Sequence, residues 1–484
     1  MGAGEAVLGS RHEGPGAGAG RTLGERSAEG GHDDVGLEST GARHHQAGLR
    51  GRRGRAALVA RGIERVAAQP MRSKPFAGKT LNVFMFDHPY PRALKELVPQ
   101  FTELTGIKVE MDTPGFLVYN QRADLELSTG SGAYDVMVLS FIFSGKWMGA
   151  GWASRLNDFI AREGATDAAD FLSGAMAPMK TGQDVFALPF VAESTLMVYR
   201  RDVFEKAGLK PPDTFDELLA DAPKIQTAEM KAYMGRGLGG FHWIWPNYLF
   251  AYGGKFFADP PKDLTPLLAS AESIKSAEVF GRLYREFSVP GVQSYAEPQS
   301  SGGMMEGRTA VYIDALAWVG LAADPAKSKV KDRVGFALPP GGPAGRFPQA
   351  AVHGLQIPAG AKQKDVSWEF VKWATSKEVM GKISETVIYP AVTRASVLAS
   401  PAYRQKYNWG GADIGALHGA VLKQAAAGYM AYRTVPEFPP VGDRVSIALS
   451  EISTGQKPAA QAMRDCQRDV EGILTKAGRT IRKS

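Results

Sequence analysis

The 484-residue sequence predicts an α/β protein built from more than one domain. Three observations carry that expectation. From Phe76 onward, apolar runs of strand character alternate with helical stretches, the pattern of parallel sheets with crossover helices. The length exceeds what one core sustains, since single cores stop growing near about 250–300 residues. The composition, 44% hydrophobic and 22% charged, is that of an ordinary folded protein.

Residues 1–75 are read as a disordered or misassigned N-terminal extension. The first 70 residues hold 16 Gly and 10 Arg, with no Phe, Trp or Tyr and no Lys before Lys74. Such a segment cannot bury enough apolar surface to offset its conformational entropy. His12, His32, His44 and His45 fit no ligand spacing. The apolar run 56–60 is too short for a secretory signal core, so no export signal is readable and a wrongly assigned upstream start is expected.

The elements then follow in order. Leu81-Asn-Val-Phe-Met-Phe86 reads as a strand, 92–103 as a helix and 107–109 as the next strand. A helix over 121–128 leads through glycines into the buried strand 135–139. The segment 190–199 is too rich in Val, Thr and aromatics for a helix and suits a buried strand. The helix 202–207 is closed by Gly208, and Pro211-Pro212 bars its continuation. Thr214 and Glu217 have capping-box spacing for a helix over 215–222. Further helices are predicted at 273–287, 364–375 and 461–477, with turns at 235–254, 300–307 and 339–345.

Charge and cysteine content narrow the function. Beyond the N-terminus the basic residues behind the net charge of +7 are interspersed with acids, the mark of a solvated surface and not of nucleic-acid binding. No run approaches the roughly 18 apolar residues of a membrane span. Cys466, the single cysteine, makes no intramolecular disulfide and is read as an idle or buried thiol. The sequence has no Gly-x-Ser-x-Gly, His-Glu-x-x-His or phosphate-cradling Gly-x-x-x-x-Gly-Lys motif. A carbohydrate-active hydrolase stays open, because glycosidase carboxylates carry no local signature.

The segment 187–219 resembles the crossover into the second lobe of the family 1 extracellular solute-binding proteins, the sugar-capturing components of ABC importers. Leu127-Ser-Thr-Gly-Ser-Gly-Ala-Tyr-Asp135, Phe250-Ala-Tyr-Gly-Gly254, Ala323-Asp-Pro-Ala-Lys-Ser-Lys-Val330 and Trp368-Glu-Phe-Val-Lys-Trp-Ala-Thr-Ser376 are similar to further family segments in the same order. The resemblance covers residues 76–480. It implies a periplasmic-binding-protein-like α/β fold, two doubly wound lobes joined by a hinge with a ligand cleft between them. The lobes would comprise 76–189 plus 355–393, and 190–354 plus 394–484. It also implies capture of a sugar or sugar alcohol, delivery to permease subunits by hinge closure, a periplasmic location, a monomer, and no cofactor or metal. Another small solute remains an alternative ligand.

A sugar site needs aromatic platforms and directed polar groups. In doubly wound lobes it lies beyond the carboxyl ends of strands. That rule selects Asp87 and His88 after the first strand, and Ser140 and Phe141 after the strand 135–139, with Phe141 read either as a wall or as core. Glu193 is a lone acid in an apolar strand, where an unpaired carboxylate is costly. Either a ligand or a buried ion pair accounts for it; in the resembled family an acid here faces the sugar. The resemblance also assigns stacking to His242, Trp243 and Trp245 as a group, and ligand contacts to Asp314, Trp318 and Tyr119. His353 stands where the family often has Trp-Gly-Gly. Arg394, in a Pro-x-x-Arg segment, is read as a ligand clamp or as a salt bridge.

Overall fold

The computed structural model describes residues 73–162 and 167–482. The expectation for the N-terminal extension lies outside them, save for its last three residues. The first half of the fold comprises β1 (Thr80–Phe84), α1 (Pro89–Thr105), β2 (Lys108–Asp112), α2 (Phe116–Thr129) and β3 (Val136–Ser140). β4 (Ala187–Arg200), α3 (Arg201–Lys206), α4 (Phe215–Ile225), β5 (Lys231–Met234), α5 (Phe241–Ile244) and α6 (Pro246–Ala251) follow. Then come α7 (Ala271–Phe287), α8 (Glu297–Met305), β6 (Thr309–Ala315), α9 (Leu316–Val319), β7 (Val334–Ala337) and β8 (Ala350–Gln356). The C-terminal part includes α10 (Lys364–Ala374), α11 (Ile414–Ala425), α12 (Phe438–Ser453) and α13 (Ala459–Lys476).

One eight-stranded sheet runs β2-β1-β3-β8-β4-β6-β5, with β7 also paired to β4. The pairs β1–β2, β1–β3 and β6–β5 are parallel. The expected parallel pairing is thus present toward both ends of the sheet, while the middle is antiparallel. β8 is antiparallel to both β3 and β4, and β4 is antiparallel to β6 and β7. A chain that crosses from one half to the other and returns must run back the way it came, so its two bridging strands oppose each other.

β4 belongs to both halves. Residues 187–194 pair with β8, whereas 195–200 pair with β6 and β7. Thirteen of its 14 residues are buried, which explains the unbroken apolar run. The capping box predicted for α4 is present: Thr214 Oγ1 accepts from the Glu217 N–H, and Glu217 Oε2 accepts from the Thr214 N–H.

Two predicted turns are helical instead. Across 241–251, α5 and α6 are short helices separated at Trp245, and burial of Phe241, Ile244, Trp245, Tyr248 and Leu249 holds them in place. In α8 the glycines signalled a turn, but Gly303 lies within the helix and packs against the end of the Met234 side chain. A Cβ at Gly303 would stand 2.7 Å from Met234 Cε of β5. Cys466 is fully buried and free, in line with an idle thiol, and burial pushes it up to about 12. Among the described residues no helix is long and apolar enough to cross a membrane.

Candidate functional site

A cavity of about 240 Å³ opens beside the point where β4 changes partners. The loop after β1 contributes Phe86, Asp87 and His88; the start of α2 brings Phe116, and the end of β3 brings Phe141. Facing them are Arg236 after β5, Trp243 of α5, Glu297 of α8, Asp314 at the end of β6 and Trp318 of α9. The floor is the sheet: Glu193 and Thr195 of β4, with Ala351 and His353 of β8, alternate residues that strand geometry turns to one face. His353 and Gly354 pair with Val191 and Pro189, so Phe190 is an extra residue in β4 and the bulge bends β4 at this point. Glycine fits at 354 because a Cβ would stand 2.7 Å from Ala187 Cβ, as well as 2.4 Å from Met179 Sδ.

Five rings make the wall. His353 lies 4.7 Å from Phe86, 5.2 Å from Phe141 and 5.6 Å from Phe116, centroid to centroid. Trp243 closes it from the other side, 5.6 Å from Phe116 and 6.0 Å from Phe141.

Between those rings lie buried polar atoms with no hydrogen-bond partner: His88 Nδ1, Glu193 Oε1, Trp243 Nε1 and His353 Nδ1. Glu193 Oε2 accepts from the Ala317 N–H at 2.8 Å, which fixes the carboxylate at the start of α9. Its Oε1 is 3.4 Å from His88 Nε2, longer than a well-formed hydrogen bond. Burial, reinforced by neighbouring His88, holds His353 well below its ordinary value, so its ring is neutral. Such atoms are costly to bury unsatisfied, and hydroxyl groups, which both donate and accept, suit carboxylate, imidazole and indole atoms alike.

The opposite wall is an ion cluster. Arg236 Nε donates to Asp314 Oδ1 at 3.0 Å, Nη2 also reaches Asp314, and Nη1 donates to Glu297 Oε1 at 2.7 Å. The Tyr312 hydroxyl and the Ala315 N–H donate to Asp314 at 2.7 and 2.6 Å. Burial opposes the Arg236 charge, yet Asp314 and Glu297 outweigh it and hold the guanidinium above its ordinary value. Its plane rests 5.1 Å from the Trp243 ring centroid. Asp314 therefore lines the cavity with its oxygens already engaged.

Other expected residues lie elsewhere. The Tyr119 hydroxyl is taken up by the backbone of Val138, at 2.7 Å to its oxygen and 2.8 Å to its nitrogen. Ser140 is buried beside His353 in the β3–β8 ladder and does not line the cavity. His242 Nδ1 contacts Ser446 Oγ at 2.8 Å, and burial, with Arg433 and Arg236 nearby, pushes it down to about 3. Trp245 is fully buried against Phe256. Successive residues of a helix point about 100° apart, so α5 turns Trp243 and Ile244 to the cavity and His242 away from it.

Arg394 is a structural clamp and not a cavity residue. It is buried on Phe171, donates to Thr375 O at 2.6 Å and Asp167 O at 2.9 Å, and pairs with Asp170 at 3.3 Å. Sequence reasoning missed Phe86, Phe116, Arg236, Glu297, Gln349 and Arg433, all of which line the cavity. Arg236 follows the end of β5, where the strand-end rule would have found it. Arg433 has no such signal: tertiary packing brings its Nη1 to Ala350 O and its face 5.0 Å from the Phe141 ring.

Among the described residues no cluster of three or more His, Cys, Asp or Glu side chains is arranged to hold a metal ion. A family model described as bacterial extracellular solute-binding protein matches residues 87–381. An erythritol/L-threitol-binding protein of Mycolicibacterium smegmatis is 28% identical over 342 residues, 66% of this chain and 72% of the relative. A mannitol-binding protein of Pseudomonas aeruginosa is 26% identical over 382 residues, 75% of this chain and 85% of the relative. The solved structure of an ABC transporter solute-binding protein from Agrobacterium radiobacter, in complex with ribitol, matches with a TM-score of 0.74 and 22% identity. The match covers 83% of this chain and 100% of that one. Another from Agrobacterium vitis, with bound D-mannitol, gives a TM-score of 0.72 and 27% identity, covering 83% of this chain and 99% of that one. The fold is thus that of the two-lobed solute-binding proteins.

Proposed function

The chain belongs to the bacterial extracellular solute-binding proteins, and on that premise we propose that it captures a small sugar or sugar alcohol for an ABC importer. Proteins of this family bind solutes and do not transform them, so this is a binding protein and not an enzyme. One observation carries the choice of ligand: unpartnered buried polar atoms stand among aromatic rings in a cavity of about 240 Å³. Hydroxyls satisfy the polar atoms while C–H faces pack on the rings. The volume is below the roughly 300–1,000 Å³ of pockets for drug-sized molecules, which favours one open-chain polyol or one sugar ring over an oligosaccharide. The ligands for which the relatives are named, erythritol, L-threitol and mannitol, support a sugar alcohol.

In this reading the lobes are 76–189 plus 355–393, and 190–354 plus 394–484. Asp87, His88, Phe141, Glu193, Trp243, Trp318 and His353 face the ligand, joined by Phe86, Phe116 and Arg433. The protein works as a monomer in the periplasm and presents its closed form to permease subunits. Screening melting temperature against erythritol, ribitol, mannitol and matched ring sugars tests the proposal, since a ligand of the native state raises apparent stability by mass action. A polyol is expected to raise the melting temperature, and small-angle scattering to show a smaller radius of gyration with it bound. No shift with any polyol or sugar would remove the reading.

A further inference from the structure

The charges of the cavity are unevenly satisfied. Four carboxylates line it, Asp87, Glu193, Glu297 and Asp314, against the guanidinium groups of Arg236 and Arg433. Asp87 is neutralised from behind by Arg92, at 2.5 Å from Nε and 2.5 Å from Nη2. Arg236 is shared by Asp314 and Glu297, which leaves that cluster with one surplus negative charge. Glu193 has no guanidinium or ammonium partner; one oxygen takes a backbone N–H and the other has only His88 at 3.4 Å. An ionised carboxylate only accepts hydrogen bonds, so Glu193 Oε1 asks the ligand for a donor. A hydroxyl supplies one. A carboxylate does not, and it would add like charge inside a buried site where screening is weak.

We propose that Glu193 is a specificity-determining residue that makes this cavity select neutral polyols and reject the polyhydroxy acids of the same carbon skeleton. The proposal rests on the reading of the site as a polyol site. Arg433 is the counterweight. It has no carboxylate partner among the described residues, but Ala350 O, Tyr432 Oη and Gln349 Oε1 take one donor from each of its three nitrogens. Glu193, in contrast, is only 6% exposed and keeps one oxygen open.

Calorimetric titration of the wild-type protein with two matched pairs, D-mannitol with D-mannonate and ribitol with D-ribonate, is the test. The acid of the better-binding pair is expected to bind at least one hundredfold more weakly than its alcohol. In Glu193→Gln the alcohol should weaken, and the acid-to-alcohol ratio should fall below tenfold, because the amide keeps the shape and loses the charge. An acid within threefold of its alcohol in the wild type would show that Arg433 sets the charge preference, and would overturn the proposal while leaving the polyol site intact. An undiminished ratio in the variant would take the role away from Glu193. Failure of every alcohol and every acid to bind would instead strike the polyol reading itself, and this inference with it. The wild-type comparison decides the charge preference even if Glu193→Gln does not fold.

Discussion

Trp243 touches three parts of the molecule: Phe116 and Phe141 across the cavity, and the guanidinium of Arg236 on its own side. Replacing it by alanine removes one wall and the ring contact of Arg236, which Asp314 and Glu297 still hold, and the ring is only partly buried. Trp243→Ala should weaken polyol binding about 10- to 100-fold, or roughly 1.4–2.7 kcal/mol, with a small change in the melting temperature of the free protein. Calorimetric titration beside a thermal melt checks both; normal affinity would show that the ring is not a wall. Residues at this scale were legible where backbone geometry dictates their direction. Asp87 and His88 were found from a strand end, and Glu193 from its isolation in an apolar strand. His242 and Trp245 were not separable from Trp243, because composition names an aromatic segment and only the pitch of α5 says which ring points inward. Arg433 lies 240 positions from Glu193 by their numbers and carries no local mark of the cavity it serves.

The segment 389–394 is the clearest case at the scale of elements. Its arginine had two sequence readings, and the structure supplies partners for the structural one: Thr375 O, Asp167 O, Asp170 and the face of Phe171. A buried cation held this way is costly to remove, since its partners stay behind unpaired. Arg394→Met should therefore lower folding stability by about 3–5 kcal/mol by urea denaturation, while polyol affinity in the folded fraction stays within threefold. Lost affinity at normal stability would return the residue to the ligand. The fold itself was legible wherever pattern length exceeds ambiguity. The span 190–199 became part of a 14-residue strand, and 461–477 became α13 to within two residues. The helices of 241–251 and 297–305 were hidden, because glycine, proline and aromatic residues signal turns locally and only burial against neighbouring elements makes them helical. Strand direction was hidden too, since the period of a strand is the same in either sense.

The whole molecule carries several neutral histidines in its interior. Burial holds His242, His353 and His418 below the ordinary imidazole value, His242 at about 3. Once unfolded, each returns to about 6.5 and takes up a proton more readily than the native state. Their contribution is thus complete above about pH 6.5 and declines as pH falls toward the folded values. Denaturant midpoints at pH 7.5 and pH 5 should show the native state weaker at pH 5, by about 2 kcal/mol from His242 alone. Equal midpoints would mean that these rings are protonated in place.

β4 has a consequence on this largest scale. His418 Nδ1 lies 2.6 Å from Ser194 Oγ, and its Nε2 lies 2.7 Å from Val392 O, at the point where the strand passes from one set of partners to the other. Neither half of the sheet is complete without residues of that strand, so neither can melt and leave the other whole. Scanning calorimetry should show one transition whose van't Hoff and calorimetric enthalpies agree, even though the length allows two cores. Two resolved transitions would contradict it. Selection on such a chain acts on the stability of a single cooperative unit. A substitution at the outer edge of either half, far from any ligand, then lowers the fraction of molecules able to bind.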